Sequence, residues 1–115
     1  MTVEEIVKIV NGSIVTSTDI SHNHAVSYGF ASDLMSDVLT VTADQVLLIT
    51  GLSNAQTVRT AMMSDIHVVL FGRNKKVTAE MRSLAEQNEI VLLSTAYSVF
   101  RAAGELYRAG LKPIF

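Results

Sequence analysis

Apolar positions along the chain fall into two alternating kinds of pattern. In QVLLIT (from Gln45), HVVLF (from His67) and IVLL (from Ile90) they run on continuously, and the three runs are nearly evenly spaced. Short continuous apolar runs read as strands buried on both faces. Each is followed by a polar turn and then by a segment whose apolar residues recur at helical period. These segments predict helices over residues 53 to 64 (Ala55, Val58, Met62), 78 to 88 (Met81, Leu84, Ala85) and 96 to 109 (Val99, Ala103, Leu106, Tyr107). Buried strands that alternate with helices predict an α/β fold in three layers, a largely parallel sheet flanked by helices and joined by right-handed crossovers.

The N-terminal part is less regular. MTVEEIVKIV spaces Val3, Ile6, Val7 and Val10 for a helix, and Thr2 with Glu5 forms a capping box that satisfies two orphan amide donors. Asn11-Gly12 predicts a left-handed stop. A short strand over 13 to 16 and the polar loop STDISHNH come next. In HAVSYGFASD the bulky Val26, Tyr28 and Phe30 alternate with Ala25, Ser27, Gly29 and Ala31, the period of a strand with one small face that a helix approaches closely. Leu34, Met35, Val38 and Leu39 predict a short amphipathic helix.

Composition narrows the functional classes. With 115 residues, 49% of them hydrophobic, the chain supplies one packed core, and we expect a single domain over residues 1–115. A net charge of -2 offers no general attraction to nucleic acid or to an anionic membrane. Having no cysteine, the chain can form no disulfide, thiolate metal site or cysteine nucleophile. The apolar runs are far too short to span a bilayer, and the N-terminus lacks the pattern of a secretory signal, so a cytoplasmic location is expected.

In a parallel sheet, ligands bind beyond the carboxyl ends of the strands. The residues there are Thr50, Gly51, Ser53 and Asn54 after one strand, Gly72, Arg73 and Asn74 after the next, and Ser94 and Thr95 after the third. Ser32 and Asp33 join them if the preceding strand is parallel to the others. The stretch ITGLSNAQTVRTA is not a phosphate loop of the G-x-x-x-x-G-K-[ST] kind, and it lacks the glycines of a dinucleotide turn. Two readings stay open for it. Ser53 with Gln56 forms a capping box that starts a helix, or the Gly51 to Asn54 amides and the helix N-terminus hold a carboxylate or phosphate with help from Arg73.

Other groups carry weaker chemistry. His22 and His24, with Asp19, have a spacing that suits zinc but equally suits a solvated loop. His67 opens an apolar strand and is expected to be partly buried and hydrogen-bonded. Asp33 and Asp37, four apart, would share a helix face, either as an acid/base pair or, for Asp33, as a charge that complements the helix dipole. Arg73, Lys75 and Lys76 form the most basic stretch, consistent with a solvated turn. Neither a nucleophile elbow nor a Ser-His-Asp order occurs.

The segments SYGFASDLMSDVL (27 to 39), LLITGLSNAQTVRTAMMSDI (47 to 66) and LLSTAYSVFRAAGELYRAGL (92 to 111) resemble small stand-alone DRTGG-domain proteins of bacteria. The TGL-x-N-x-Q-x-x-RTA core and the closing ST-x-x-S-x-F…G-x-LY-x-x-GL carry most of that resemblance. It implies an α/β fold similar to the N-terminal domain of HPr kinase/phosphorylase, found also as an accessory domain in some phosphotransacetylases and CBS-domain pyrophosphatases. There it looks regulatory or dimer-forming. Where larger family members tend to have an acidic-basic pair after the glycine, this chain has Leu52, Ser53 and Asn54. The resemblance implies a non-catalytic module without a cofactor, a homodimer that binds a small anionic ligand or nucleotide at the strand edge or signals to a partner protein. HPr serine kinase activity is not expected, because the P-loop of that enzyme is absent. The alternative is a small phosphotransferase or hydrolase that uses Asp33 or Asp37. The apolar end of the last helix and the tail, Leu106, Tyr107, Leu111, Ile114 and Phe115, needs cover from the chain's own core or from a second copy.

Overall fold

A computed structural model describes residues 1–17 and 24–115. Helix α1 (Val3–Ile9) starts where the sequence predicts. The Thr2 hydroxyl accepts from the Glu5 N–H, and the Glu5 carboxylate accepts from the Thr2 N–H. That backbone donor, and then the Thr2 hydroxyl, hold the Glu5 carboxyl below the usual carboxylate range. Val3, Ile6 and Val10 are buried. The chain stops with Asn11 in the left-handed region (φ 50°), so the asparagine, not Gly12, supplies the turn. Gly12 is needed for a different reason: a Cβ there would lie 2.5 Å from the backbone oxygen of Ser94.

The remaining elements are β1 (Ser13–Ile14), β2 (Tyr28–Ala31), α2 (Met35–Val38), β3 (Val46–Thr50), α3 (Ala55–Met63), β4 (Val68–Phe71), α4 (Ala79–Gln87), β5 (Val91–Ser94), α5 (Val99–Arg108) and β6 (Lys112–Pro113). They form a six-stranded sheet in the order β1-β5-β4-β3-β2-β6. Every neighbouring pair is parallel except β1 with β5, where Ser13 faces Ser94 and Ile14 faces Leu93. The three central strands are buried along almost their whole length, which explains their continuous apolar runs.

Alternate side chains of these strands feed two cores. Leu47, Ile49, Val68, Leu70, Val91 and Leu93 pack against α1 and α5, while Leu48, Val69, Phe71 and Leu92 pack against α2, α3 and α4. The expected three layers are therefore present. The small face of β2 is also real, but its close neighbour is not a helix: Leu111, just past α5, lies 2.9 Å from where a Cβ on Gly29 would stand. Val26 precedes the strand and joins the α1/α5 core, whereas Phe30 packs on the opposite side. Among the described residues no helix is long and apolar enough to cross a membrane.

One buried group is out of keeping with its surroundings. The Thr60 hydroxyl on α3 is fully buried and finds no hydrogen-bond partner among the described residues. A buried hydroxyl left unpaired is destabilising, and valine has almost the same shape and a similar helix preference. Thr60→Val is expected to stabilise the fold by about 1 kcal/mol and to raise the thermal midpoint by roughly 4 °C. A lower midpoint in thermal unfolding would show that the hydroxyl has a partner.

Candidate functional site

Because β2 runs parallel to β3, the ends of four strands do gather along one edge. Asp33, just beyond β2, reaches sideways to the end of β3. Its Oδ1 accepts hydrogen bonds from the Thr50 hydroxyl at 2.8 Å and from the Gly51 N–H at 2.7 Å. Thr50 Oγ1 in turn accepts from the Leu52 N–H at 3.1 Å. Thr50 is itself fully buried, so the carboxylate satisfies a donor that water cannot easily reach.

Two glycines bring the start of α5 down on this edge. A Cβ on Gly51 would lie 3.8 Å from Val99 Cγ2, and one on Gly72 would lie 3.2 Å from the same atom and 3.1 Å from the Tyr97 carbonyl oxygen. Next to Gly72, Arg73 and Asn74 both take the left-handed conformation (φ 60° and 53°). Their N–H groups donate to the carbonyls of Tyr97 and Thr95, each at 2.8 Å. The ends of β4 and β5 are thus laced together where the following helices, α4 and α5, depart to opposite faces of the sheet.

Thr95 is buried and structural: its hydroxyl donates to the Val10 carbonyl at 2.6 Å and accepts from the Tyr97 N–H. Ser94 pairs with Ser13 of β1. Ser53 is not the N-cap expected from the sequence, and the capping box with Gln56 does not form. Asn54 caps α3 by accepting from the Thr57 N–H at 2.9 Å, while the Ser53 hydroxyl donates to the Lys76 carbonyl at 2.6 Å. Thr57 outcompetes Gln56 because its own hydroxyl also anchors the turn, donating to the Leu52 carbonyl at 2.7 Å. Nor do Asp33 and Asp37 share a helix face. Asp33 lies before α2, whose N-cap is Leu34, and is drawn to β3 by Thr50 and Gly51; Asp37 stands within the exposed helix.

The site expected from the sequence therefore splits. Asp33, Thr50, Gly51, Gly72 and Arg73 meet around the first turn of α5, whereas Ser53 and Asn54 serve α3 and its link to the loop before α4. The exposed cationic side chains here are Arg73, Lys75, Lys76 and Arg101. Arg101 was not among the expected residues. Its guanidinium sits 3.8 Å from the centroid of the Tyr97 ring, so Tyr97 holds one arginine through its ring and the Arg73 backbone through its carbonyl. The four-residue spacing of Tyr97 and Arg101 is a helical-face signal, but nothing in it says that β4 ends alongside.

At the opposite edge, His24 stacks on His67 with ring centroids 5.0 Å apart and planes within 11°. His24 Nε2 contacts the Glu89 carbonyl at 2.9 Å, and His67 Nε2 pairs with Asp65 at 3.0 Å. His67 is thus partly buried and hydrogen-bonded. Asp19 and His22, the other members of the suggested zinc arrangement, lie outside the described residues. Among the described residues no group of three or more His, Cys, Asp or Glu could hold a metal ion.

Comparison with known families matches residues 5–109 to the DRTGG domain. The chain belongs to the DRTGG domain family. The fold of this DRTGG domain is similar to that in the crystal structure of the CBS and DRTGG domains of the regulatory region of Clostridium perfringens pyrophosphatase, complexed with its activator diadenosine tetraphosphate. The TM-score is 0.73 at 11% sequence identity, over 91% of this chain and 45% of that one. This DRTGG domain thus spans less than half of that regulatory region, and at such identity the likeness is one of fold. Comparison with curated proteins by sequence gives no match.

Proposed function

We propose that this DRTGG domain is a non-catalytic regulatory module that senses a small phosphate-bearing ligand of the nucleotide class at the C-terminal edge of its sheet. The observation that carries the reading is the use to which the edge puts its one central carboxylate. Asp33 holds the ends of β2 and β3 together. Its Oδ1 accepts two hydrogen bonds, which gives the carboxylate a structural use at the strand ends. Arg73, Lys75, Lys76 and Arg101 then supply the cationic side chains that phosphate groups need. The regulatory role of the pyrophosphatase segment that shares the fold, and its nucleotide activator, support the same reading.

The test is thermal unfolding of the purified protein with diadenosine tetraphosphate, ATP, ADP and pyrophosphate, alongside an assay for their turnover. A ligand at about a hundred times its dissociation constant is expected to raise the midpoint by roughly 10 °C. The double variant Arg73→Ala with Arg101→Ala should lose the shift while keeping its own midpoint. A shift unchanged in that variant, or none with any of these compounds, would reject the proposed site. Turnover that vanishes in Asp33→Asn or Asp37→Asn would establish the phosphotransferase or hydrolase alternative.

A further inference from the structure

Tyr97 stands between β5 and α5, and the chain around it holds it in place. Its N–H donates to the Thr95 hydroxyl at 3.1 Å, and that hydroxyl is itself bonded to the Val10 carbonyl. The half-buried Tyr97 side chain packs against the core shared by α1 and α5. Its carbonyl accepts from the Arg73 N–H at 2.8 Å, so the chain leaving β4 is pinned to it. Over its ring lies the Arg101 guanidinium, 3.8 Å from the centroid. Two arginines from different loops are thus mounted on one residue, Arg101 by its side chain and Arg73 by its backbone. A guanidinium laid over a ring spends its face and keeps its N–H groups, which lie in its plane, for an acceptor. Among the described residues neither arginine pairs with a carboxylate, and both forks stay open to an anion.

The edge is also polarised. Asp33 Oδ2 lies 3.4 Å from where a Cβ on Gly51 would stand, and Val99 Cγ2 lies 3.8 Å from that point and 3.2 Å from the corresponding point at Gly72. Val99 therefore separates a carboxylate at the end of β3 from Arg73, the residue after Gly72, at the end of β4. An anion is repelled from the first and drawn to the second, where Lys75 and Lys76 continue the cationic stretch. Each guanidinium is a bidentate match for the oxygens of one phosphoryl group. Two such forks tied to one residue offer each phosphoryl group of a diphosphate its own partner, whereas a single phosphate leaves one fork unused. An arginine free in water samples many rotamers, and ordering it on a ligand costs affinity; the Tyr97 ring orders Arg101 beforehand.

We infer that Tyr97 is a positioning residue that holds Arg101 and Arg73 ready for the two phosphoryl groups of a diphosphate, so that the edge selects diphosphates over monophosphates. The inference rests on the strand-edge site proposed above. Isothermal titration calorimetry of the full chain with inorganic pyrophosphate and with orthophosphate tests it. The wild type is expected to bind pyrophosphate at least about tenfold more tightly. Tyr97→Phe keeps the ring and should keep that affinity, whereas Tyr97→Leu keeps only the apolar bulk and should lose roughly fivefold for pyrophosphate. Arg101→Gln, a change at an exposed position, removes the side chain that Tyr97 holds. In that background Tyr97→Leu should cost less than about twofold, because nothing is left to position. A merely structural role for Tyr97 would leave its full cost in place. A wild type that binds both anions equally, or a Tyr97→Leu loss undiminished in Arg101→Gln, overturns the inference while the site stands. Pyrophosphate affinity unchanged in Arg73→Ala with Arg101→Ala, or no binding of either anion, removes the site and the inference together.

Discussion

Gly12→Val is expected to lower the thermal midpoint by roughly 10–15 °C, corresponding to about 3 kcal/mol. The obstacle is the Ser94 carbonyl oxygen, 2.5 Å from where the first added carbon would stand, with Val10 Cγ2 3.3 Å away. That oxygen belongs to the backbone of β5 and cannot rotate out of the way as a side chain would. Relief has to come from moving β1 off β5 or α1 off the sheet. Both movements disturb Val10, whose side chain is fully buried and whose carbonyl takes the Thr95 hydroxyl. Against a total stability of roughly 5–15 kcal/mol for a domain, the loss is large. Circular dichroism against temperature measures it, and a midpoint within a degree or two of the wild type would show that β1 and β5 do not approach so closely. Gly12→Ala should shift in the same direction by less.

The second large effect is expected at Asp33. Asp33→Ala removes two hydrogen bonds to a charged acceptor, each of which contributes roughly 1.5–3 kcal/mol. Asp33 is exposed, so water takes over part of its role at the Gly51 N–H, and we expect a net loss of about 3 kcal/mol. Most of that loss arises at Thr50, which is fully buried and is left with a hydroxyl short of an acceptor. Asp33→Asn keeps an acceptor oxygen of the same shape and should recover more than half of the stability. Denaturant unfolding of the two variants makes the comparison; equal loss in both would mean that charge, not hydrogen-bond geometry, joins the strand ends. The same pair bears on function. In a regulatory module Asp33→Asn retains ligand-dependent stabilisation, whereas in an enzyme that uses Asp33 as base it abolishes turnover.

Much of the edge was legible as a set of positions. Continuous apolar runs located β3, β4 and β5, and the parallel arrangement that they imply brings Thr50, Gly72 and Thr95 to one side of the molecule. The role of each residue was not legible. A threonine after a strand reads the same whether its hydroxyl faces solvent or, as in Thr95, donates to the carbonyl of Val10, a partner remote in sequence. The N-cap of α3 was misplaced by one residue for a similar reason. Ser53 and Asn54 are both good caps, and the choice between them was made by the Lys76 carbonyl, which claims the Ser53 hydroxyl from a distant turn.

The sequence by itself determined the order of elements from α1 to α5, the burial of three strands on both faces, the capping of α1 and membership of an α/β class, because these depend on periodicity and on partners three or four residues away; the edge strand β6, too short to show a period, was not among them. Its family resemblance likewise rests on local segments, and these lie in the elements that build the sheet. Tertiary structure alone decided that β2 lies parallel beside β3, that Asp33 clamps those two strands, that Gly12 faces a carbonyl and that Tyr97 stands between Arg73 and Arg101. Each of those facts is a contact across the sheet edge between residues distant in the chain. No local pattern encodes such a contact, since the packing of two cores on opposite faces of one sheet is what sets which loops meet.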